Sequence, residues 1–260
     1  MSQTAEHMPP ARKRRRLFFL VIRICLHNRR MLKVLLFQSR KLPEGLAREK
    51  TNFERVLGGT AQLDTISAFD ESLSHKYSED VLNKYDGVIF GGSAEYDFDG
   101  GRPESDPVRL ASLVILSRAK MLMSAALQSD IPVLGICFGH QLIANMFGGN
   151  VFNDKAQNKF GTHEVRCTKE GMSDKLFSQM PPTFTAQYAH KDSVSVLPRG
   201  ATLLAESETC RFSALRYGDK VYTVQFHPEV RRMGDPKAAH DESPEAATLV
   251  SKWVRSIVAS

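Results

Sequence analysis

The sequence predicts one α/β domain built on a mixed, mostly parallel central sheet, with helices on both faces and antiparallel additions. Two observations lead to this fold class. Through the first half of the chain, short apolar runs alternate with helical patterns, which is typical of a parallel sheet. Further along, short strands follow one another without long helices between them. The chain has 260 residues, of which 42% are hydrophobic, and this is enough for a sizeable core.

The alternating half predicts four strands and four helices. The strands are predicted at residues 32–37, 62–69, 87–90 and 132–136, and the helices at 46–57, 78–85, 108–127 and 139–147. Gly58 and Gly59 directly follow the first helix, where glycine commonly ends a helix. Residues 97–107 form a polar loop rich in glycine and aspartate, long enough to cover a site at the end of the sheet.

The second half is predicted to contain short strands and one closing helix. The strands are predicted at residues 164–168, 183–188, 202–206, 212–217 and 221–226. Gly218 and Asp219 stand between the last two strands and indicate a hairpin. An amphipathic pattern over residues 244–258 predicts the final helix.

Basic charge is concentrated at the start of the chain. Residues 1–30 contain eight basic side chains and one acidic side chain, a net charge of +7, which leaves −1 for the rest of the +6 total. We therefore expect a basic, disordered extension over residues 1–30 and a folded domain over 31–260, starting at Met31. The basic cluster at 11–16 also fits a targeting segment or a nucleic-acid-binding arm. The apolar run at 17–26 is too short to span a bilayer.

The cysteines and the charge balance restrict the cellular compartment and the binding partners that we expect for this protein. The four cysteines are scattered without a C-x-x-C pair, which argues against a disulfide scaffold and a cysteine zinc site. Scattered thiols fit a reducing compartment, so we expect a cytoplasmic protein. His163 and Glu164 are an isolated pair, and we expect neither a metal nor a cofactor. Because residues 31–260 are nearly neutral, we expect neither nucleic acid nor a membrane as their partner.

The segment GICFGHQ, residues 135–141, carries the clearest chemical signal. Gly135 and Gly139 stand two residues before and after Cys137, where a predicted buried strand meets a helix. A sharp strand-to-helix turn around a nucleophile requires this spacing, because larger side chains would collide with neighbouring backbone. Such a turn places the Cys137 sulfur at a helix N-terminus, where the helix dipole favours the thiolate. The N–H of Phe138 would then point to where an oxyanion forms.

A base for this nucleophile is predicted in the segment VQFHPE, residues 224–229. His227 directly follows a predicted strand. Glu229 lies two residues further on, on the same side of an extended segment, and can hold the imidazole in the required tautomer. Cys137, His227 and Glu229 are therefore predicted to act as nucleophile, general acid/base and orienting carboxylate. Lone cysteines and histidines are usually packing residues, but here both motifs occur together and each ends a strand.

GICFGHQ, followed 90 residues later by FHPE, resembles the class-I glutamine amidotransferases that use a Cys-His-Glu triad. The resemblance covers residues 31–232 and is closest to the amidotransferase domain of GMP synthase and its free-standing relatives. It implies a flavodoxin-like fold. It also implies that Cys137 attacks the side-chain amide of glutamine, that ammonia leaves with a proton from His227, and that water hydrolyses the glutamyl thioester.

The resemblance also implies substrate contacts. An N–H of a glycine loop, here Gly91-Gly92-Ser93, would share the oxyanion with Phe138. Residues 189–194 are similar to the family's His-Gly-Asp segment. The turn at residues 92–94 departs from the G-P-G or G-G-P turn of many relatives. The candidate oxyanion and substrate contacts are Gly91, Gly92, Phe138, Gln141, His190 and Asp192.

Three functions stay open on the sequence alone. The chain could be a glutaminase subunit that passes ammonia to a separate synthetase, or a stand-alone hydrolase of γ-glutamyl bonds in peptides or small conjugates. It could also be a non-enzymatic interaction protein on the same scaffold, but the presence of both Cys137 and His227 argues against this. The expected partners are glutamine or a γ-glutamyl small molecule and, for the first function, the synthetase. No phosphate-loop or dinucleotide motif is present in the sequence.

Overall fold

A computed structural model describes residues 30–73, 75–232 and 242–260. Within it, Leu32–Ser260 form one compact unit. The predictions for the basic extension lie almost wholly outside the described residues. The strands are β1 (Lys33–Gln38), β2 (Gln62–Ser67), β3 (Gly87–Phe90), β4 (Val133–Ile136), β5 (Val151–Asn153), β6 (Lys159–Cys167), β7 (Thr183–His190), β8 (Asp192–Val194), β9 (Ala201–Ser207), β10 (Cys210–Tyr217) and β11 (Val221–Val224).

The helices separate most of the strands in the first half of the chain. They are α1 (Pro43–Leu57), α2 (His75–Leu82), α3 (Pro107–Gln128), α4 (Phe138–Met146), α5 (Lys169–Met172), α6 (Pro244–Ala247) and α7 (Leu249–Trp253), with a 3-10 turn at Phe177–Gln179 and a π-helical turn at Val254–Val258. α1 ends at Gly58, whose φ is +54°, as the glycine pair predicts. α3 begins at Asp106, whose carboxylate accepts the N–H of Val108 at 2.8 Å.

The central sheet confirms the predicted fold class. Its nine strands lie in the order β2-β1-β3-β4-β11-β10-β9-β6-β7. The first five pair in parallel, and every pairing from β11 to β7 is antiparallel. Strand β11 therefore returns to lie beside β4. This pairing brings the end of β11 next to the end of β4, where the two predicted motifs lie.

The structure differs from the prediction at several element bounds, with α1 starting at Pro43 and α2 spanning His75–Leu82, and in the following features. β6 starts at Lys159 rather than residue 164, because it pairs with β7 along its whole length. The short antiparallel pair β5 and β8 was not predicted, since three-residue strands carry little pattern. The predicted helix over 244–258 is divided near Thr248. The hydroxyl of Thr248 donates to the carbonyl of Glu245 at 2.7 Å, a local bond that competes with regular helix geometry.

The core lies on both faces of the sheet. Successive side chains of β1 point to opposite faces, so Val34 and Leu36 join one apolar cluster while Leu35 and Phe37 join the other. α3 contributes to the second cluster through residues such as Ile115. Among the described helices, α3 alone has the length and apolar composition that would suit a membrane span. Its buried side lies against the sheet, as in the core helix of an α/β domain.

Candidate active site

Cys137 sits in a strained turn between β4 and α4. Its φ is +51° and its ψ is −100°, a conformation that non-glycine residues rarely adopt. The turn is held from both sides, because the N–H of Cys137 donates to the carbonyl of Val224 and the N–H of Gln141 donates to the carbonyl of Cys137. The strain is therefore imposed by a parallel-strand contact and by the first turn of the helix. Such strain is characteristic of functional sites.

Two glycines let this turn form. A Cβ on Gly139 would lie 2.2 Å from the carbonyl oxygen of Phe90 at the end of β3. A Cβ on Gly135 would lie 2.7 Å from a methyl carbon of Ile143 and 2.9 Å from the carbonyl oxygen of Gly139. The turn thus packs against backbone at both glycine positions, which is the collision that the sequence spacing predicts for any larger side chain.

His227 and Glu229 lie beside the thiol. The Nδ1 atom of His227 is 2.8 Å from Oε1 of Glu229, and both side chains are buried. The N–H of His227 donates to the carbonyl of Gln187 on β7, which fixes the segment that follows β11. The described side chains around Oε2 of Glu229 offer it no hydrogen bond. The contact to Oε1 suits an orienting carboxylate.

The electrostatics of the pair favour a charged imidazole. Burial on its own would lower the pKa of His227, but the negative charges of Cys137 and Glu229, with their hydrogen bonds, outweigh burial and raise this pKa well above 6.5. The imidazole of His227 therefore keeps its proton to higher pH than a free histidine does. Burial raises the pKa of the Cys167 and Cys210 thiols to about 11, so neither suits nucleophilic attack.

The glycine loop after β3 closes over the triad. A Cβ on Gly92 would lie 2.8 Å from Cε1 of His227 and 3.4 Å from Cβ of Cys137, so only glycine fits. The N–H of Gly91 already donates to the carbonyl of Phe37, which favours Gly92 as the loop residue whose N–H meets an oxyanion. Ser93 accepts the N–H of Tyr96 at 2.9 Å and so shapes a turn without the proline of many relatives.

We expect Gly92→Ala to reduce kcat/KM by roughly a hundredfold or more, because a displacement of His227 by about 1 Å misplaces the general acid. The fold should persist, since the clash is with a side chain rather than backbone. Steady-state kinetics with circular dichroism measure both effects. Gly45→Ala is the matched control, because a Cβ at Gly45 meets its nearest atom at 3.4 Å. Wild-type kinetics in Gly92→Ala would contradict this arrangement.

Asp192 holds the loop of residues 97–107 against the site. Its two carboxylate oxygens accept the N–H groups of Asp99 and Gly100, each at 2.8 Å, and its side chain is buried. Phe98 from the same loop packs on the ring of Phe138, with centroids 5.0 Å apart. The carboxylate of Asp192 therefore supports the loop, and the residue also lines the cavity that contains Cys137.

Gln141 and His190 meet at the backbone carbonyl of Asp192. Nε2 of Gln141 donates to this oxygen at 2.6 Å, and Nδ1 of His190 lies 3.1 Å from it. Burial lowers the pKa of His190 to about 4, so the ring is neutral near pH 7. Because a carbonyl can only accept, the proton belongs on Nδ1, and Nε2 keeps a lone pair. Both side chains line the cavity that contains Cys137, as expected for substrate contacts.

The cavity above Cys137 is large and basic. Its volume is about 960 Å³, and eight basic side chains line it against four acidic ones. Arg48 and Arg55 of α1 form part of one wall, and Lys191 lies on another. Residues 31–260 carry a net charge of −1, so the positive charge is local to this cavity. Part of this charge is already paired, since Arg40 lies 3.2 Å from Glu49 and Arg102 lies 3.3 Å from Asp97.

The sequence analysis missed one buried carboxyl in this site. Glu49 on α1 is only 3% exposed and lines the same cavity. A signal for it existed in the helical pattern, since Glu49 occupies the buried stripe of α1 together with Phe53 and Val56. A charged residue on an apolar stripe needs a partner, and Arg40 lies 3.2 Å away.

No metal centre is evident in the part of the chain that the structure describes. No group of three or more His, Cys, Asp or Glu side chains there could hold an ion. Nε2 of His163 lies 3.0 Å from the carbonyl of Phe160, a local contact.

Sequence comparison decides the family. The model of the glutamine amidotransferase class-I family matches residues 62–238, more than half of the chain. The chain belongs to the class-I glutamine amidotransferase family. It is 40% identical over 116 residues to a protein from Methanocaldococcus jannaschii that is named as one subunit of glutamine-hydrolyzing GMP synthase, a match covering 44% of this chain and 60% of that protein. It is 41% identical over 102 residues to the protein of the same name from Archaeoglobus fulgidus, covering 39% and 54%.

The amidotransferase chain thus spans less than two thirds of the curated relatives that it matches. Solved structures agree on the fold. A structure from Thermoplasma acidophilum, described as one subunit of GMP synthase, has a TM-score of 0.66 at 22% identity and covers 89% of this chain and 96% of its own. A glutamine amidotransferase from Thermotoga maritima has a TM-score of 0.55 at 23% identity and covers 78% of each chain.

Proposed function

We propose that this amidotransferase hydrolyses the side-chain amide of glutamine at Cys137 and releases ammonia. The observation that carries the proposal is the strained turn that holds Cys137 beneath Gly92, next to the His227–Glu229 pair. A thiol, an acid/base and a pair of backbone donors in this arrangement suit acyl transfer.

In the first half of the reaction, the Cys137 thiolate attacks the γ-carbonyl carbon of glutamine. The carbonyl oxygen becomes an oxyanion, to which the N–H groups of Phe138 and Gly92 donate. When the tetrahedral intermediate collapses, the C–N bond breaks and His227 gives its proton to the departing nitrogen, which leaves as ammonia. The raised pKa of His227 supports this step, because the imidazole holds a proton at neutral pH.

In the second half, the glutamyl thioester is hydrolysed. Neutral His227 takes a proton from water, the resulting hydroxide attacks the thioester carbon, and the C–S bond breaks to give glutamate and the Cys137 thiolate. Glu229 keeps the imidazole oriented through both halves by its 2.8 Å contact to Nδ1. The neutral ring of His190 leaves an acceptor for the α-ammonium group of the substrate.

The ammonia acceptor is proposed to be a separate synthetase subunit. The relatives from Methanocaldococcus jannaschii and Archaeoglobus fulgidus are each named as one subunit of a glutamine-hydrolyzing GMP synthase, which supports this assignment. A stand-alone hydrolase of γ-glutamyl bonds is the second candidate. The volume and positive charge of the cavity favour it, because glutamine alone would fill a small part of about 960 Å³.

Glutamate release by the purified chain separates these candidates. We expect glutamate from glutamine or from a panel of γ-glutamyl dipeptides, and none from Cys137→Ala. Rapid cleavage of a dipeptide would favour the stand-alone hydrolase. Slow turnover of every substrate, with Cys137 still alkylated by a glutamine-like chloroketone, would favour a subunit that needs its synthetase. A chain that neither turns over nor reacts with the chloroketone would contradict the proposed function.

A further inference from the structure

Glu49 approaches the triad from behind the glycine loop. It lies on α1, outside the motifs that identify the family, yet it shares the cavity with Cys137, His227 and Glu229. Its carboxyl packs directly against the loop, since a Cβ on Gly91 would lie 2.6 Å from Oε1 of Glu49. The three atoms nearest to that position all belong to the Glu49 carboxyl. A larger side chain at position 91 would therefore collide with the carboxyl of Glu49.

The surroundings of Glu49 hold its carboxyl in one place. Nε2 of Gln38, at the end of β1, donates to Oε2 of Glu49 at 3.1 Å and to the carbonyl of Leu46 at 2.9 Å. Nε of Arg40 is 3.2 Å from Oε1. Gln38, Arg40 and Glu49 are all more than nine-tenths buried. The contact of Arg40 lacks hydrogen-bond geometry, so Oε1 of Glu49 has no hydrogen bond from the described residues.

Glu229, the carboxylate of the triad, also has an oxygen without a hydrogen bond from any described residue. Oε2 of Glu229 is buried and, within the described chain, lacks a hydrogen bond. Arg55 of α1 donates to the backbone carbonyl of Glu229, so the helix that carries Glu49 also contacts the segment that carries Glu229. The cavity thus contains two buried glutamates, each with one carboxylate oxygen that lacks a hydrogen bond from the described residues.

We propose that Glu49 is a positioning residue of this site: its carboxyl supports the Gly91–Gly92 turn from behind, and its charge acts on the oxyanion that forms at this turn. The role is distinct from that of the triad, because Glu49 acts through the loop and through charge. This positioning role rests on the proposed function, because it assumes that Gly92 and His227 take part in turnover.

The charge state of Glu49 gives the role a pH dependence. Burial raises the pKa of Glu49 to about 7; the positive charge of Arg40 opposes the increase and the negative charge of Glu229 adds to it. Arg40 and Glu229 are the charged groups that act on it from other segments, and Gln38 is its neutral neighbour. Below pH 7 the carboxyl is neutral. Above pH 7 it adds a negative charge beside the turn at which the oxyanion forms, so kcat should fall as the pH rises.

The test compares the pH profiles of the wild type, Glu49→Gln and Glu54→Gln. Glu54 is the matched control, because it lies on the same helix but is exposed and pairs with Lys50 at 3.8 Å. Two readouts are taken from pH 5.5 to 9. One is kcat and KM for glutamate release from the best γ-glutamyl amide. The other is the rate at which iodoacetamide alkylates Cys137, followed by mass spectrometry of its peptide, which requires no substrate.

We expect the wild type and Glu54→Gln to lose roughly tenfold in kcat, with little change in KM, through a midpoint near pH 7. The alkylation rate should change slope at the same pH. Glu49→Gln should lack this midpoint in both profiles, because glutamine cannot ionise. A wild-type midpoint in Glu49→Gln, or its loss in Glu54→Gln, would overturn the proposal. So would wild-type profiles without a midpoint near pH 7.

Arg40→Gln tests the same role if Glu49→Gln does not fold. Removing the guanidinium withdraws the charge that favours ionised Glu49, so the midpoint should move to higher pH. An unchanged midpoint would overturn the proposal. The alkylation profile also separates the two hypotheses. A chain without turnover on any γ-glutamyl amide would contradict the proposed function, while a midpoint in alkylation that depends on Glu49 would still support the positioning role.

Discussion

Cys137→Ala is expected to abolish turnover while leaving the fold intact. The nucleophile has no substitute in this site, because the described cysteines other than Cys137 have thiol pKa values raised to about 11 by burial. The loss in kcat should reach roughly 10⁴-fold or more, the range seen when a triad loses its nucleophile. Stability should change little, since alanine removes one buried sulfur and the turn is held by backbone bonds to Val224 and Gln141.

Glutamate release and thermal unfolding measure these two outcomes. Cys167→Ala is the matched control, because Cys167 is a partly buried thiol whose nearest polar contact is the carbonyl of Pro181 at 3.6 Å. It should retain wild-type turnover. Turnover of Cys137→Ala within a factor of ten of the wild type would reject Cys137 as the nucleophile. Loss of the cooperative unfolding transition would instead show that Cys137 is needed for packing.

The fold could be predicted from the sequence wherever the pattern is local. In the parallel half, β3 and β4 are buried along their whole length and α1 ends at a glycine, and such features produce unambiguous runs such as GVIF in β3. The register between β11 and β4 is not local, because 84 residues separate the end of β4 from the start of β11. The start of β6 was also missed, since its alternation of buried and exposed residues is irregular.

The residues of the site also fall into those with a local sequence signal and those whose role depends on distant contacts. Cys137 and the glycines of its turn could be predicted because the strand-to-helix turn restricts the residue type at each of these positions, and His227 could be predicted because it directly follows a strand. The second contact of Asp192 could not be predicted, because its carboxylate binds backbone N–H groups of a loop that lies more than 90 residues earlier in the chain. Glu49 occupies the buried stripe of α1, a pattern visible in the sequence, but that pattern does not show what its side chain contacts. Its significance depends on how closely α1 approaches Gly91.

His227→Ala is expected to reduce kcat by about as much as Cys137→Ala, because members of a triad act as a unit. The substitution removes two roles of the imidazole at once. The departing nitrogen has no proton donor, and the thiolate loses the imidazolium whose charge stabilises it. Glu229→Ala should cost less, since His227 keeps its backbone bond to Gln187 and needs the carboxylate mainly for orientation.

The rate at which iodoacetamide alkylates Cys137 distinguishes the loss of the proton donor from the loss of thiolate stabilisation. At pH 7, iodoacetamide should modify Cys137 more slowly in His227→Ala than in the wild type, because less thiolate is present, and raising the pH should restore the rate without restoring turnover. His163→Ala is the control, since His163 contacts the carbonyl of Phe160 away from the triad. If turnover recovered with the thiolate at high pH, His227 would serve only to ionise Cys137, and the assignment of proton transfer to the leaving group would be wrong.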